Sequence, residues 1–112
     1  MDRLSVIVIT LNEEAKLPRC LDAVTWADEI VVVDSHSTDD TRDVARRYTD
    51  KVIERDWDGF AGQRSFGMSH ATGEWILFLD ADEYVTDALR GRIDAIISKG
   101  SEHDGYKIHR VE

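Results

Sequence analysis

Apolar and polar positions along this chain alternate between two regimes. Leu4–Thr10 (LSVIVIT), Glu29–Asp34 (EIVVVD) and Trp75–Leu79 (WILFL) are short apolar runs. Runs of that length, with β-branched residues in the first two, read as strands of a parallel sheet buried on both faces. Lys51–Glu54 reads as a shorter strand. Between the runs the period changes. Leu17, Cys20, Leu21 and Val24 recur at helical spacing, which predicts a helix over about Ala15–Val24. Asn12-Glu13-Glu14 stands where a helix cap is expected. Further helices are predicted from Asp39 or Asp40 to about Tyr48, over about Ala61–Ala71, and from Thr86 or Asp87 to near Gly100. Gly73 is placed to cap the third of these at its C-terminus. Gly105–Val111 alternates like the opening of another strand.

Strand and helix thus alternate four times, which specifies an α/β fold. Its mostly parallel sheet is covered by helices on both faces, through right-handed crossovers. No repeat and no linker interrupts the pattern, so residues 1–112 read as a single domain. A strand that opens at Gly105, seven residues before the last one, predicts a sheet that continues in a longer protein.

Composition narrows the partners more than the fold. Apolar residues are 42% and charged residues 33% of the chain, a globular balance. The formal net charge of −9 argues against a nucleic acid held by phosphate contacts. It also means that an anionic ligand would need a cation beside it. Cys20 is the single cysteine, so no internal disulfide can form, and its helical surroundings make it a small buried apolar residue. Leu4–Leu11 is too short for a signal peptide and lacks a positive lead. With no apolar run of membrane length, a soluble cytoplasmic protein is expected.

The chemistry concentrates after the strands. Asp80 and Asp82 follow Trp75–Leu79 at i and i+2. If the chain stays extended there, both side chains point the same way. Two converging carboxylates stay ionised cheaply when a cation lies near, and Mg²⁺ or Mn²⁺ takes oxygen ligands of this kind. Polar clusters also follow the first two strands, at Thr10–Glu13 and Asp34–Asp40. In a parallel sheet all three clusters meet at the carboxyl edge, where open α/β folds bind ligands. No Gly-x-Gly-x-x-Gly or Gly-x-x-x-x-Gly-Lys is present, so neither a dinucleotide fingerprint nor a P-loop applies.

Ser5–Glu14 (SVIVITLNEE), Val31–Thr41 (VVVDSHSTDDT), Arg64 and Gly73–Glu83 (GEWILFLDADE), in that order, resemble the family 2 glycosyltransferases of the GT-A fold. The spellings Leu11-Asn12-Glu13-Glu14 and Asp34-Ser35-His36-Ser37-Thr38-Asp39 are nearest to the lipopolysaccharide-core glucosyltransferase branch. The resemblance implies a Rossmann-like three-layer sandwich, here stopping before the acceptor half. It implies an inverting hexosyl transfer from a nucleotide-diphosphate sugar such as UDP-glucose, in lipopolysaccharide or cell-envelope glycan synthesis. It matches Thr10, Asn12 and Glu13 to the loop that holds base and ribose, and Asp34 to a residue near the uracil. Ser35 stands where the family carries a second acidic residue. Arg64 matches a basic residue near the diphosphate, and Asp80 and Asp82 match the carboxylates that hold metal and ribose-phosphate. The general base is expected downstream, outside these residues. The implied partners are a UDP-sugar and, for the full-length protein, a glycan or lipid-linked acceptor. Peripheral association with the inner face of the membrane fits that role, and an open sheet edge could self-associate.

Plainer readings stand beside these. Asp34 could cap the turn after its strand, Arg64 could lie on a solvated helix face, and Asn12, Glu13 and Glu14 could be only a helix cap. His36 reads as a surface residue and Trp75 as core. His70, His103 and His109 join no constellation. Two rival functions are a binding module without chemistry and a phosphatase of the haloacid dehalogenase type. The latter usually has Thr or Val four residues after its nucleophilic Asp, where this chain has Tyr84.

Overall fold

A computed structural model describes residues 3–98 and the short strand Lys107–Ile108. Five strands form one sheet: β1 (Leu4–Thr10), β2 (Glu29–Asp34), β3 (Val52–Glu54), β4 (Trp75–Asp80) and β5 (Lys107–Ile108). Their order is β3-β2-β1-β4-β5, and every pairing is parallel. Four helices connect them: α1 (Leu17–Asp22), α2 (Thr41–Arg46), α3 (Gly59–His70) and α4 (Asp87–Ser98). The predicted alternation is present. The rest of the predicted last strand lies outside the described residues.

The pleat divides the core. Leu4, Val6 and Val8 of β1, with Ile30 and Val32 of β2 and Leu77 and Leu79 of β4, pack with residues of α1, α2 and α4. Ile7, Val31, Val33, Ile76 and Phe78 face the other way, against Phe66 and Met68 of α3. The molecule therefore has three layers. α3 comes very close to the sheet at Gly67, where a β-carbon would sit 2.5 Å from Ile7 Cγ2 and 3.3 Å from Val33 Cγ2.

Several boundaries differ from the sequence expectation, each for a local reason. α1 begins at Leu17, with Pro18 in its first turn and no side-chain cap. Asn12 does not cap it. Its backbone has φ 53°, a left-handed conformation that Asn tolerates, and its side chain turns to a neighbouring loop. α2 spans six residues, and Asp39 rather than Asp40 supports its start, through the Thr41 amide. Gly73 does not close α3, which ends at Ala71 in an extended conformation. Gly73 is instead needed for close approach: a β-carbon there would meet Arg3 O at 2.8 Å and Ser5 N at 2.9 Å.

Beneath the sheet's amino edge, Glu29 gathers the ends of three segments. It accepts from Ser5 Oγ (2.7 Å) and the Thr72 amide (2.7 Å), and pairs with Lys51 Nζ. Burial opposes its charge. The hydrogen bonds from Lys51, Thr72 and Ser5, with the Lys51 charge, outweigh that and pull its carboxyl down to about 2.

Candidate active site at the carboxyl edge of the sheet

A cavity of about 400 Å³ opens at the carboxyl edge. Ile9, Thr10, Leu11 and Glu13 form one wall, Asp80, Ala81 and Asp82 another, and Trp57 and Phe60 a third. Thr10, Glu13, Asp80 and Asp82 thus come together as the sequence predicts. Trp57 and Phe60 are the residues that sequence reasoning missed. They are half exposed (51% and 54%), and their rings meet edge to face at 4.9 Å. The available signal was two large aromatics in a glycine-flanked loop, a setting that gives a buried core no use for them.

Asp80 and Asp82 line one cavity, but not through the extended chain that the sequence reading assumes. β4 ends at Asp80, and the chain turns at Ala81 and Asp82 rather than continuing extended. The Glu83 amide donates to Asp80 O at 2.9 Å, and the Asp80 amide donates to Glu83 Oε1 at 2.8 Å. Glu83 therefore closes the turn that carries both aspartates. Cys20 lies beneath, with Sγ 3.9 Å from Asp80 O. Burial, and then the nearby charges of Glu83, Asp82 and Asp80, push its thiol up to about 12, so it stays protonated and inert.

Asp34 lies below the cavity rather than in its wall. Its carboxylate is fully buried. Oδ1 accepts from Thr10 Oγ1 (2.7 Å) and Ser37 Oγ, and Oδ2 accepts from the Ser37 amide (2.8 Å). Arg42 Nη1 stands 3.9 Å away. A direct contact with a base would require one of these bonds to be exchanged. Asn12 is likewise engaged: its amide donates to Ser37 Oγ, and its Oδ1 accepts from the Thr38 amide, both at 2.8 Å. The Glu13 amide donates to Thr41 Oγ1 at 2.8 Å. These bonds lock the loop after β1 to the loop after β2.

Ser35 and Arg64 are not among the residues that line the cavity: Ser35 bonds to α3, and Arg64 belongs to that helix. Ser35 Oγ accepts from Gln63 Nε2 at 2.9 Å. Arg64 spans between two rings, its guanidinium carbon 5.9 Å from the Phe60 centroid and 5.7 Å from that of Phe78. Its Nε is buried and, among the described residues, has no hydrogen-bond partner. Arg64 is thus held between rings with a buried, unpartnered Nε, and is not on a solvated helix face.

No group of three or more His, Cys, Asp or Glu side chains suited to a metal occurs among the described residues. Two carboxylates on one cavity wall still fit Mg²⁺ or Mn²⁺, which commonly bind one or two protein carboxylates and take their other ligands from water and substrate phosphate.

Residues 5–103 match the family model described as glycosyl transferase family 2. The chain belongs to this family. Its fold is that of the GT-A glycosyltransferases. It is 37% identical over 113 residues to an uncharacterised glycosyltransferase of Rickettsia typhi, covering all of this chain and 38% of that one. It is 35% identical over 112 residues to the lipopolysaccharide core biosynthesis glycosyltransferase LpsC of Rhizobium meliloti, covering 96% of this chain and 42% of LpsC. The chain thus spans about two fifths of the length of these family members. Among solved structures, S. aureus TarS 1-349 in complex with UDP superposes with a TM-score of 0.67 at 28% identity, covering 87% of this chain and 32% of that one. Glucosyl-3-phosphoglycerate synthase of Mycobacterium tuberculosis in complex with UDP gives 0.65 at 26% identity, with 72% and 34% covered. No helix of the described residues is long and apolar enough to cross a membrane.

Proposed function

We propose that this chain is the donor-binding part, a single domain, of an inverting glycosyltransferase that uses a UDP-hexose, with UDP-glucose the first candidate. The observation that carries the reading is one cavity lined by two unlike sets of residues. Asp80 and Asp82 supply carboxylates, and Leu11, Trp57 and Phe60 supply apolar and aromatic surface. A nucleoside diphosphate has the matching shape, a flat base joined to a strong anion. Two relatives of this fold bind UDP by their own descriptions, which supports the choice of base. Similarity to LpsC supports a role in lipopolysaccharide or other envelope glycan synthesis.

In this reading Asp80 and Asp82 hold Mg²⁺ or Mn²⁺, and Arg64 supplies a guanidinium charge for the diphosphate. The metal, when bound, offsets the charge that grows on the departing diphosphate. Thr10, Asn12, Glu13, Asp34 and Ser35 shape the nucleoside side, Asp34 and Asn12 by holding the two loops in place. An acceptor hydroxyl, from a glycan or a lipid-linked sugar, attacks the anomeric carbon opposite the diphosphate. Its proton passes to a base supplied by the part of the family's length that this chain does not span. The whole protein would work in the cytoplasm, at the inner membrane face where its acceptor is presented.

Calorimetric titration of UDP-glucose with Mn²⁺ present tests the reading. Saturable binding at one site is expected. Failure of both UDP-glucose and UDP to bind would overturn it.

A further inference from the structure

Trp57 is a large ring that the core does not hold. Half of it is open, and it meets Phe60, itself half exposed, edge to face at 4.9 Å. A ring in such a place keeps one direction only if the chain that carries it is fixed. That chain is fixed on both sides of the ring. Before it, the Arg55 amide donates to Asp34 O at 2.9 Å, one residue past the end of β3. After it, the backbone turns at Gly59, with φ 77°, into α3.

The Arg55 side chain joins the two sides. Its guanidinium donates to Asp58 Oδ2 at 3.2 Å and to Gln63 Oε1 at 2.8 Å, and its carbon lies 5.0 Å from the centroid of Phe66. Trp57 therefore lies inside a small loop that Arg55 closes onto α3. Gln63 is fully buried, and its Nε2 donates to Ser35 Oγ at 2.9 Å, so the oxygen that receives Arg55 is itself held in place. A second tie runs from His36 Nε2 to Asp56 Oδ1 at 2.7 Å. The Asp56 carboxylate is almost fully exposed, so water screens this pair and it adds little. Arg55 is partly buried and reaches a buried acceptor, so it is the stronger of the two ties.

Arg55 is not among the residues that line the cavity, whereas Trp57 is. We propose that Arg55 is a positioning residue for the donor, acting through Trp57: it holds residues 56–58 in shape, so that the ring stands ready before the ligand arrives. A ring already in place loses less freedom on binding. The inference rests on the donor-site reading given above and adds the residue that prepares its aromatic wall.

The test is calorimetry of UDP and of pyrophosphate at fixed Mn²⁺, on the 112-residue chain, Arg55→Ala, Trp57→Ala and the double variant. Arg55→Ala should weaken UDP about tenfold, the scale of ordering one large side chain and its loop. Pyrophosphate should bind within about twofold of the unaltered chain, because the acidic turn is untouched. In the Trp57→Ala background, Arg55→Ala should change UDP by less than about twofold, since the ring it holds is gone. A merely structural role would show in thermal melting, with neither the contrast between ligands nor the dependence on Trp57. If Arg55→Ala does not fold, Asp58→Ala carries the test, because it cuts one tie at an exposed carboxylate. It should weaken UDP about threefold with pyrophosphate unchanged, again only while Trp57 is present. Unchanged UDP affinity, equal loss of UDP and pyrophosphate, or the same loss with and without Trp57 overturns this proposal alone. Binding of neither UDP nor UDP-glucose by the unaltered chain overturns the donor-site reading together with it.

Discussion

The Thr10 hydroxyl donates to Asp34 Oδ1 at 2.7 Å, and the two residues are also backbone partners in the parallel ladder of β1 and β2. Their side chains share the face that packs with α1, α2 and α4, since Thr10 continues the Leu4, Val6, Val8 series and Asp34 the Ile30, Val32 series. Asp80 continues the Ile76, Phe78 series and so belongs to the α3 face. The two acidic clusters meet at one edge but on opposite sides of the sheet. One organises loops, and the other faces the cavity.

This separation predicts different costs for the two aspartates. Asp34→Ala leaves the Thr10 hydroxyl, both Ser37 donors and Arg42 without their buried partner, and should lower stability by about 3 kcal/mol. Thr10→Val should cost about 1–2 kcal/mol. Urea unfolding measures both. An Asp34→Ala loss within experimental error of zero would show that these bonds do not hold the loops.

Asp82→Asn should behave in the opposite way, because its side chain is exposed at the turn. Stability should change by less than about 0.5 kcal/mol. The strengthening of UDP binding by Mn²⁺, measured against a chelator, should mostly vanish. Equal UDP affinity with metal and with chelator in the unaltered chain would rule out Asp80 and Asp82 as a metal pair.

Trp57→Ala should weaken UDP by about 1–3 kcal/mol, the range for an aromatic stacked on a base. Pyrophosphate with Mn²⁺ should bind this variant as it binds the unaltered chain, because the acidic turn is untouched. Loss of both ligands together would mean that Trp57 shapes the loop and does not meet the base.

Glu29 predicts a pH effect with a definite sign. Its folded carboxyl titrates at about 2, below the ordinary value of 4.5. The contribution is therefore full above about pH 4.5 and is lost as pH falls toward 2. Unfolding free energies at pH 5 and pH 3 should fall more steeply for the unaltered chain than for Glu29→Gln. Parallel slopes would remove Glu29 as the cause.

Gly67→Ala places a methyl group against Ile7 and Val33 and should push α3 outward. A loss of about 1–3 kcal/mol is expected in urea unfolding, the usual cost of overpacking a core. Because α3 carries Gln63 and Arg64, UDP affinity should fall as well.

Much of this was legible in the chain. The three main strands, four helices and the carboxyl-edge site follow from local patterns, as does the family, since its motifs are contiguous. Asp80, Asp82, Thr10 and Glu13 line the cavity as expected. The misreadings are equally specific. Asn12 was expected at a helix start but bonds Thr38, 26 residues away. Gly73 looked like a helix cap but serves a contact with Ser5, 68 residues away. Local sequence cannot distinguish a cap from a distant contact when the same residue type suits both.

The sequence by itself determined where the chain is extended and where it is helical. A strand buried on both faces shows as a continuous apolar run and a helix as apolar residues 3.6 apart, and both are written along the chain. It also determined which loops gather, because parallel strands all end on one side. Only the tertiary structure decided which carboxylates remain free. Asp34 and Asp80 look alike in sequence, each closing an apolar strand. Asp34 is saturated by Thr10 and Ser37 on the crowded face. Asp80 ends at a turn beside Trp57 and Phe60, where the wall is open. Whether a polar atom is available depends on what lies across from it, and that is set by the packing of the layers.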